Sequence, residues 1–395
     1  MTPRDRLTFL QSDLAQAALA QIHETPINAD NHLTLAMALR QQFAPAEAQA
    51  LLDQALLRQK GATKFSRAGQ MFFERTALEQ ASGEQISQHR AARFSPFAGR
   101  WLADLGCSIG GDALSLATVG PVLGLEMDLE RLLLARHNVA LYAPGRFHPV
   151  QADLRELASL PVAAFFFDPA RRDAQGRRQR DPARYEPPLS LISTWRGRVP
   201  HAGVKLAPGI AYEDVPELAE TELEFIALDY ELKEAVAWYG GLRSGVTRRA
   251  TILPAGATLT EADGVAEGGA IRPVGPYLYE PNPAILRAGL VTQLGSQLNA
   301  AQIDPQIAYL TADAWQPTPF ARAFSVTATF PFQLKRLRQY LRERRIGRVT
   351  IKKRGSPLDV ARLEQQLRLK GDEEATLFLT QAAGQPIVIL GQPLP

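Results

Sequence analysis

The 395-residue sequence contains one cysteine, Cys107. Neither an intramolecular disulfide nor a multi-thiolate metal cluster can form from it, and a lone thiol suits a reducing compartment, so the cytoplasm is the expected location. The six histidines, at positions 23, 32, 89, 137, 148 and 201, include no pair at metal-ligand spacing; no metal site is expected. No run approaches the roughly 18 consecutive apolar residues of a membrane span, and the N-terminal MTPRDRLTFL lacks the unbroken apolar block of a secretory signal. Membranes are therefore excluded as partners at this stage. What remains is ordinary globular composition, 46% hydrophobic and 22% charged, in a chain long enough that two or three domains are expected.

The formal net charge is only +3, but residues 331–370 hold thirteen Lys/Arg against three Asp/Glu, a local +10 that leaves −7 for the other 355 residues. A basic module on an acidic body reads as a polyanion-binding surface, because Lys and Arg neutralise phosphates and release counterions. The alternative is a solvated helix face.

Residues 1–98 carry apolar residues at helical spacing, such as Leu35, Leu39 and Phe43 and then Leu51, Leu52 and Leu56, broken by Pro26 and Pro45. From residue 99 to 255 short apolar runs (WLADLG, PVLGLEMD, RFHPVQADL, VAAFFFDPA, GVKLAP) alternate with helical segments, the pattern of a parallel sheet wound with helices. The tighter spacing of LEFIALD, EAVAWYG and RRATILP permits an antiparallel closing edge. Residues 256–324 begin Gly- and Ala-rich and read as a linker and packing segment. Residues 325–395 run strand, helix, strand, helix, strand, strand, a small α+β domain.

Four strand tips carry the candidate chemistry. In DLGCSIGGD an apolar strand ends at Asp104 and a loop with Gly106, Cys107, Gly110 and Gly111 turns into a helix, bringing backbone amides close to a ligand. A dinucleotide fingerprint needs glycine at 106, 108 and 111, and position 108 is Ser, which disfavours NAD. About twenty residues later Glu126 ends the second strand, placed to accept both ribose hydroxyls, and Met127 can lie on an adenine ring. After the third strand Asp153 can accept from the adenine amino group. The fourth delivers Asp168 and Pro169 to the same crevice, where open α/β sheets bind ligands.

In this order the motifs resemble those of the class I S-adenosylmethionine-dependent methyltransferases: DLGCSIGGD their glycine-rich first motif, GLEMD their ribose-binding acid, QAD their adenine contact, and FFFDPA a variant of their Asp/Asn-Pro-Pro-aromatic motif. Upstream, ALEQASGEQISQHRAARF, and the terminal FQLKRLRQYLRERRIGRVTIKKRG and LRLKGDEEATLFLT resemble the bacterial and archaeal methyltransferases with a C-terminal THUMP-like domain. The G-G-containing first motif is also similar to that of trimethylguanosine synthase. The resemblance implies a Rossmann-like methyltransferase sheet at residues 99–255 and a THUMP-like domain at 325–395, beside the N-terminal helical region that spacing gives for 1–98. It implies S-adenosylmethionine as cofactor, with Asp104, Gly106, Cys107, Gly110, Gly111, Glu126, Met127 and Asp153 around it. It also implies an RNA substrate such as tRNA or rRNA.

Methyl transfer to nitrogen is an in-line displacement governed by placement. Asp168 and the carbonyl of Pro169 would accept from an exocyclic base amine, with guanine as the candidate base, and help to localise its lone pair. Ala170 and Arg171 stand where the family has a second proline and a base-stacking aromatic, which leaves stacking to Arg171, Phe65, Phe72, Tyr185 or Trp195. The loop from Arg171 to Arg184 carries six arginines and two aspartates, a phosphate-gripping composition. Substrate contacts are expected from Lys64, Arg171, Arg172, Lys205, Lys352, Lys353 and Arg354. Two alternatives stand beside this reading: a methyltransferase acting on DNA or a small molecule, and a catalytically silent RNA-binding or cofactor-sensing protein.

Overall fold

The computed structural model describes residues 1–157, 159–169, 185–264 and 271–395. Its chain divides into two compact units, one of Met1–Glu222 with Ala235–Gly245, the other of Leu223–Glu234 with Val246–Pro395. The boundary expected at residue 98 falls inside the first unit.

The first unit opens with helices α1 (Pro3–Leu10), α2 (Asp13–His23), α3 (His32–Gln42), α4 (Pro45–Gly61), α5 (Arg75–Gln80) and α6 (Glu84–Ala92). Local chemistry sets several of their starts. Thr2 and Asp5 form a reciprocal cap on α1, the Ser12 hydroxyl caps α2, and Pro45 occupies the first turn of α4. Each satisfies or removes a backbone N–H that the first helical turn leaves without a partner.

Strands and helices then alternate: β1 (Leu102–Leu105), α7 (Ala113–Val119), β2 (Val122–Glu126), α8 (Leu129–Tyr142), β3 (Phe147–Gln151), β4 (Ala164–Phe167), α9 (Leu191–Arg196) and β5 (Ala202–Leu206). Their order is β3-β2-β1-β4-β5, all parallel. The order reverses direction at β1 and β4, which opens a crevice at the carboxyl ends of the strands. After β6 (Thr221–Leu228) comes β7 (Glu231–Tyr239), whose residues 235–239 run antiparallel to β5, as the closing edge requires. Every residue of β1, β4 and β5 is buried, the charged Asp104 and Lys205 included, which marks strands covered on both faces.

In the second unit β6 pairs in parallel with β8 (Arg248–Leu253), which pairs antiparallel with β9 (Ala257–Thr260). A seven-stranded sheet follows, built from β10 (Tyr277–Pro281), β11 (Ala301–Asp304), β12 (Ile307–Ala312), β13 (Ala321–Pro331), β14 (Ile346–Lys353), β15 (Glu373–Ala382) and β16 (Gln385–Pro393), in the order β11-β12-β10-β13-β16-β15-β14. Helices α10 (Pro283–Ala288), α11 (Val291–Gln297), α12 (Leu334–Glu343) and α13 (Val360–Leu367) complete it. Side-chain alternation gives this sheet two cores. Leu377, Leu379, Val388 and Leu390 join Leu337, Leu341, Leu363 and Leu367 of α12 and α13 on one face, while Phe378 and Ile389 join Leu278, Tyr309 and Phe324 on the other. The strand-helix alternation read for residues 325–395 is found in full. The segment read as a linker instead supplies β10, β11 and β12 to the same sheet. No helix among the described residues is long and apolar enough to cross a membrane.

Candidate active site

The carboxyl ends of β1, β2, β4 and β5 border a cleft of about 460 Å³ within the first unit, a size suited to one small ligand. Of the residues singled out in the sequence, Gly106, Cys107, Gly111, Glu126, Met127, Asp153, Asp168, Pro169 and Lys205 line it.

The glycine loop is shaped by backbone conformations that disfavour side chains. Gly106 and Gly110 have φ of +80° and +88°, in the left-handed region. A Cβ on Gly110 would lie 2.9 Å from Val139 Cγ2 and 3.3 Å from Ala135 Cα, so this glycine lets the loop close down on α8 and stands behind the cleft. Cys107 is buried, and burial pushes its thiol well above the usual range, so it is a small neutral wall group.

Glu126 holds the rim of the loop. Its Oε2 accepts from Ser108 N at 3.0 Å and its Oε1 from Asp128 N at 2.9 Å. One bond per oxygen leaves each with a lone pair for a hydroxyl-bearing ligand. Asp128 itself caps α8 through Arg131 N. Met127 is 62% exposed, free to cover a flat ring. Asp153 accepts from Arg155 N and from the Arg155 guanidinium, and these hydrogen bonds lower its pKa.

Beneath the loop Asp104 is 1% exposed, and its Oδ2 has no hydrogen-bond partner among the described residues. Burial, followed by the neighbouring charges of Asp112 and Asp168, raises its pKa well above the usual carboxyl range, against the opposing pull of Arg90. Arg90 forms a buried ion pair with Asp112 and lies over the Phe166 ring at 4.7 Å. Arg93 pairs with Glu222 at 2.7 Å.

Strand register assembles the edge of the cleft at β4 and β5. Phe167 of β4 stands beside Val204 of β5, which places Asp168 next to Lys205 at the two strand tips. Lys205 Nζ lies 2.7 Å from Asp168 Oδ2 and donates to Ser82 Oγ at 3.0 Å. Asp168 Oδ1 makes no hydrogen bond to a described residue, and the side chain is 25% exposed. The edge thus presents an acceptor oxygen and Pro169 to whatever enters.

Sequence reasoning missed the opposite wall. Ala77, Glu79 and Gln80 of α5 and Ala81 just beyond it line the cleft. Lys64 does not line it: its Nζ donates to the carbonyls of Leu78, Glu79 and Ala81 at 2.7, 3.1 and 2.9 Å, acceptors for all three of its protons. The only available signal was a lysine preceding a short helix, and it does not reveal a cap on that helix's last carbonyls.

Phe65, Phe72, Tyr185 and Trp195 are all at most 2% exposed; these four are core residues and offer no face to a base. Ala170, Arg171, Arg172 and the arginine-rich loop to Arg184 lie outside the described residues. Lys352 and Lys353 end β14 in the second unit, and Arg354 follows directly. Lys352 pairs with Glu280, Lys353 Nζ donates to Leu358 O at 3.0 Å, and the Arg354 guanidinium stacks 4.9 Å from the Tyr309 ring. Among the described residues no cluster of His, Cys, Asp and Glu could hold a metal ion.

Residues 321–393 match the family described as THUMP domain-like, and residues 3–61 match a domain of unknown function. A crystal structure from Porphyromonas gingivalis W83, whose assignment as a methyltransferase is itself provisional, shares the fold with a TM-score of 0.74 at 21% identity, over 94% of this chain and 100% of that one. Two uncharacterised S-adenosylmethionine-dependent methyltransferases, from the CDC 1551 and H37Rv strains of Mycobacterium tuberculosis, are 36% identical over 348 residues, covering 84% of this chain and 92% of each relative. With strand order, glycine loop and acidic strand tips in agreement, the chain belongs to the S-adenosylmethionine-dependent methyltransferases.

Proposed function

We propose that this enzyme methylates an exocyclic nitrogen of a base in RNA, guanine being the first acceptor to test. The observation that carries the reading is the Asp168 carboxylate at the β4 tip, with Oδ1 free of described partners beside Pro169 on the cleft wall. An exocyclic amine is a poor nucleophile because its lone pair is delocalised into the ring. Hydrogen bonds from its protons to Asp168 Oδ1 and the Pro169 carbonyl oppose that delocalisation and fix the nitrogen for in-line attack.

The cleft suits the cofactor in its donor chemistry: Glu126 retains lone pairs for two ribose hydroxyls, Met127 is exposed for the adenine, Asp153 accepts from its amino group, and the orphaned Asp104 Oδ2 lies beneath the glycine loop. Gly106, Cys107 and Gly111 let the backbone approach closely, with Gly110 supporting them from behind. Bound there, S-adenosylmethionine supplies a methyl group on a positively charged sulfur. The protein's part is to orient the acceptor nitrogen and take the proton it sheds, and this reading gives both roles to the Asp168 carboxylate.

RNA as the substrate class is supported by the THUMP-like match over residues 321–393 and by the local charge of +10 over residues 331–370. Lys352, Lys353 and Arg354 are proposed for phosphate contact in that module, and Arg171 and Arg172, which lie outside the described residues, are proposed for substrate contact on their sequence alone. The test is transfer of tritiated methyl to total RNA and, in parallel, to genomic DNA, both from a strain lacking the protein. Label in RNA supports the reading; label confined to DNA overturns it.

A further inference from the structure

Lys205 is an ammonium on an otherwise apolar strand, 4% exposed, where a charge is tolerated only with close partners. Among the described residues it has two: Asp168 Oδ2 at 2.7 Å and Ser82 Oγ at 3.0 Å, Ser82 being 8% exposed. Ser82 belongs to a strap of the N-terminal region, residues 74–84, that is pinned along its length. Glu74 accepts from Thr76 N and Ala77 N and pairs with Arg131 at 3.2 Å. Lys64 holds the carbonyls of Leu78, Glu79 and Ala81, and Glu84 N donates to Lys64 O at 2.8 Å. A Cβ on Gly111 would meet Ala81 Cβ at 3.5 Å, so the strap also lies directly against the cofactor loop.

We infer that Ser82 and Lys205 are positioning residues for Asp168: a pinned strap fixes the hydroxyl, the hydroxyl fixes the ammonium, and the ammonium anchors Oδ2, which stops the carboxylate from rotating and holds Oδ1 in place for the acceptor amine. The N-terminal helices then help to set the geometry of methyl transfer, beyond bracing the sheet. A carboxylate on a strand tip can otherwise rotate about its side-chain torsions, and a displacement of about 1 Å at a reacting group can cost on the order of a hundredfold in rate. The inference rests on the reading of Asp168 as the acceptor's partner.

The experiment uses the full chain, with initial rates of tritiated methyl transfer to total RNA from a strain lacking the protein, and cofactor affinity by calorimetry. Lys205→Met is expected to lower kcat by about ten- to a hundredfold while leaving the cofactor Kd and the KM for RNA within about twofold, and Lys205→Arg to restore part of the rate. Ser82→Ala, which removes one neutral hydrogen bond, is expected to lower kcat by about two- to tenfold. The double variant Asp168→Ala/Lys205→Met is expected to be no slower than Asp168→Ala, because one residue acts through the other. Thermal melts accompany each variant; if Lys205→Met does not fold, Ser82→Ala carries the test. An inactive Asp168→Ala beside Ser82→Ala and Lys205→Met at full kcat overturns the inference alone, as do losses that arise only from cofactor affinity or that multiply in the double variant. Full activity in Asp168→Ala overturns the reading of Asp168, and the inference with it.

Discussion

The Nζ of Lys205 lies 2.7 Å from Oδ2 of Asp168 across the tips of two neighbouring parallel strands, a pairing dictated by the register that sets Val204 beside Phe167. A buried cation is thereby spent on one oxygen of the carboxylate that ends β4, and the other oxygen is left for the cleft. The remaining acids of the cleft are committed differently, and the differences are measurable.

Glu126 accepts from Ser108 N of the glycine loop and from Asp128 N, and it is proposed to hold the ribose. Replacing it with alanine removes charge-assisted hydrogen bonds, each worth about 1.5–3 kcal/mol. Calorimetry of Glu126→Ala should show S-adenosylmethionine affinity reduced by at least about tenfold, with Glu126→Gln intermediate. Unchanged affinity would remove Glu126 from the cofactor site.

Gly110 is a matter of space and backbone together. Alanine there must adopt φ near +88° with its Cβ 2.9 Å from Val139 Cγ2. Gly110→Ala should cost about 1–3 kcal/mol in urea unfolding and weaken cofactor binding, because α8 can give way only by moving the loop it supports. A variant of wild-type stability would show that the loop relaxes freely.

Asp104 predicts a pH dependence. Its folded-state pKa is raised by burial and by Asp112 and Asp168, so the folded protein binds this proton more tightly than the unfolded chain does. The contribution to stability is fully present below the unfolded-state pKa, near 3.8, and is lost as pH rises towards the raised folded value. Asp104→Asn, uncharged throughout, should therefore gain stability relative to wild type as pH increases, while binding the cofactor more weakly. Urea melts across a pH series check this; a constant difference would mean that Asp104 carries no such penalty.

For the basic module the observable is salt. If Lys353 and Arg354 contact phosphates, the slope of log affinity against log salt for RNA should fall in magnitude by about 0.7–0.9 for each contact removed by Lys353→Ala and Arg354→Ala. An unchanged slope would place the RNA interface elsewhere.

Much of this architecture was legible in the sequence, and the reason is local. β1, β2 and β4 are short, largely apolar runs whose ends fall within one residue of Asp104, Glu126 and Asp168, and a strand tip fixes where its acid lies. The strand-helix alternation after residue 325 likewise shows in the buried Leu337, Leu341, Leu363 and Leu367. What escaped depends on packing between segments distant in sequence. Ser82 meets Lys205 across 123 positions, and no spacing rule connects them. The short strands β10, β11 and β12 lie beside Gly- and Ala-rich sequence whose pattern resembles a linker, and they are strands because neighbours in the sheet satisfy their backbones. Phe65, Phe72, Tyr185 and Trp195 were attractive as base-stacking groups by type alone, and only their burial assigns them to the core.

The central claim is that Asp168 directs methyl transfer to an exocyclic nitrogen in RNA. The most direct measurement is nucleoside mass spectrometry of RNA from a strain lacking the protein, treated with wild-type enzyme or Asp168→Ala and methyl-labelled S-adenosylmethionine. The account predicts a single labelled nucleoside with its methyl on an exocyclic nitrogen, reduced at least about a hundredfold by Asp168→Ala. Label on a ring carbon, on a ribose oxygen or at equal levels with both enzymes would contradict it.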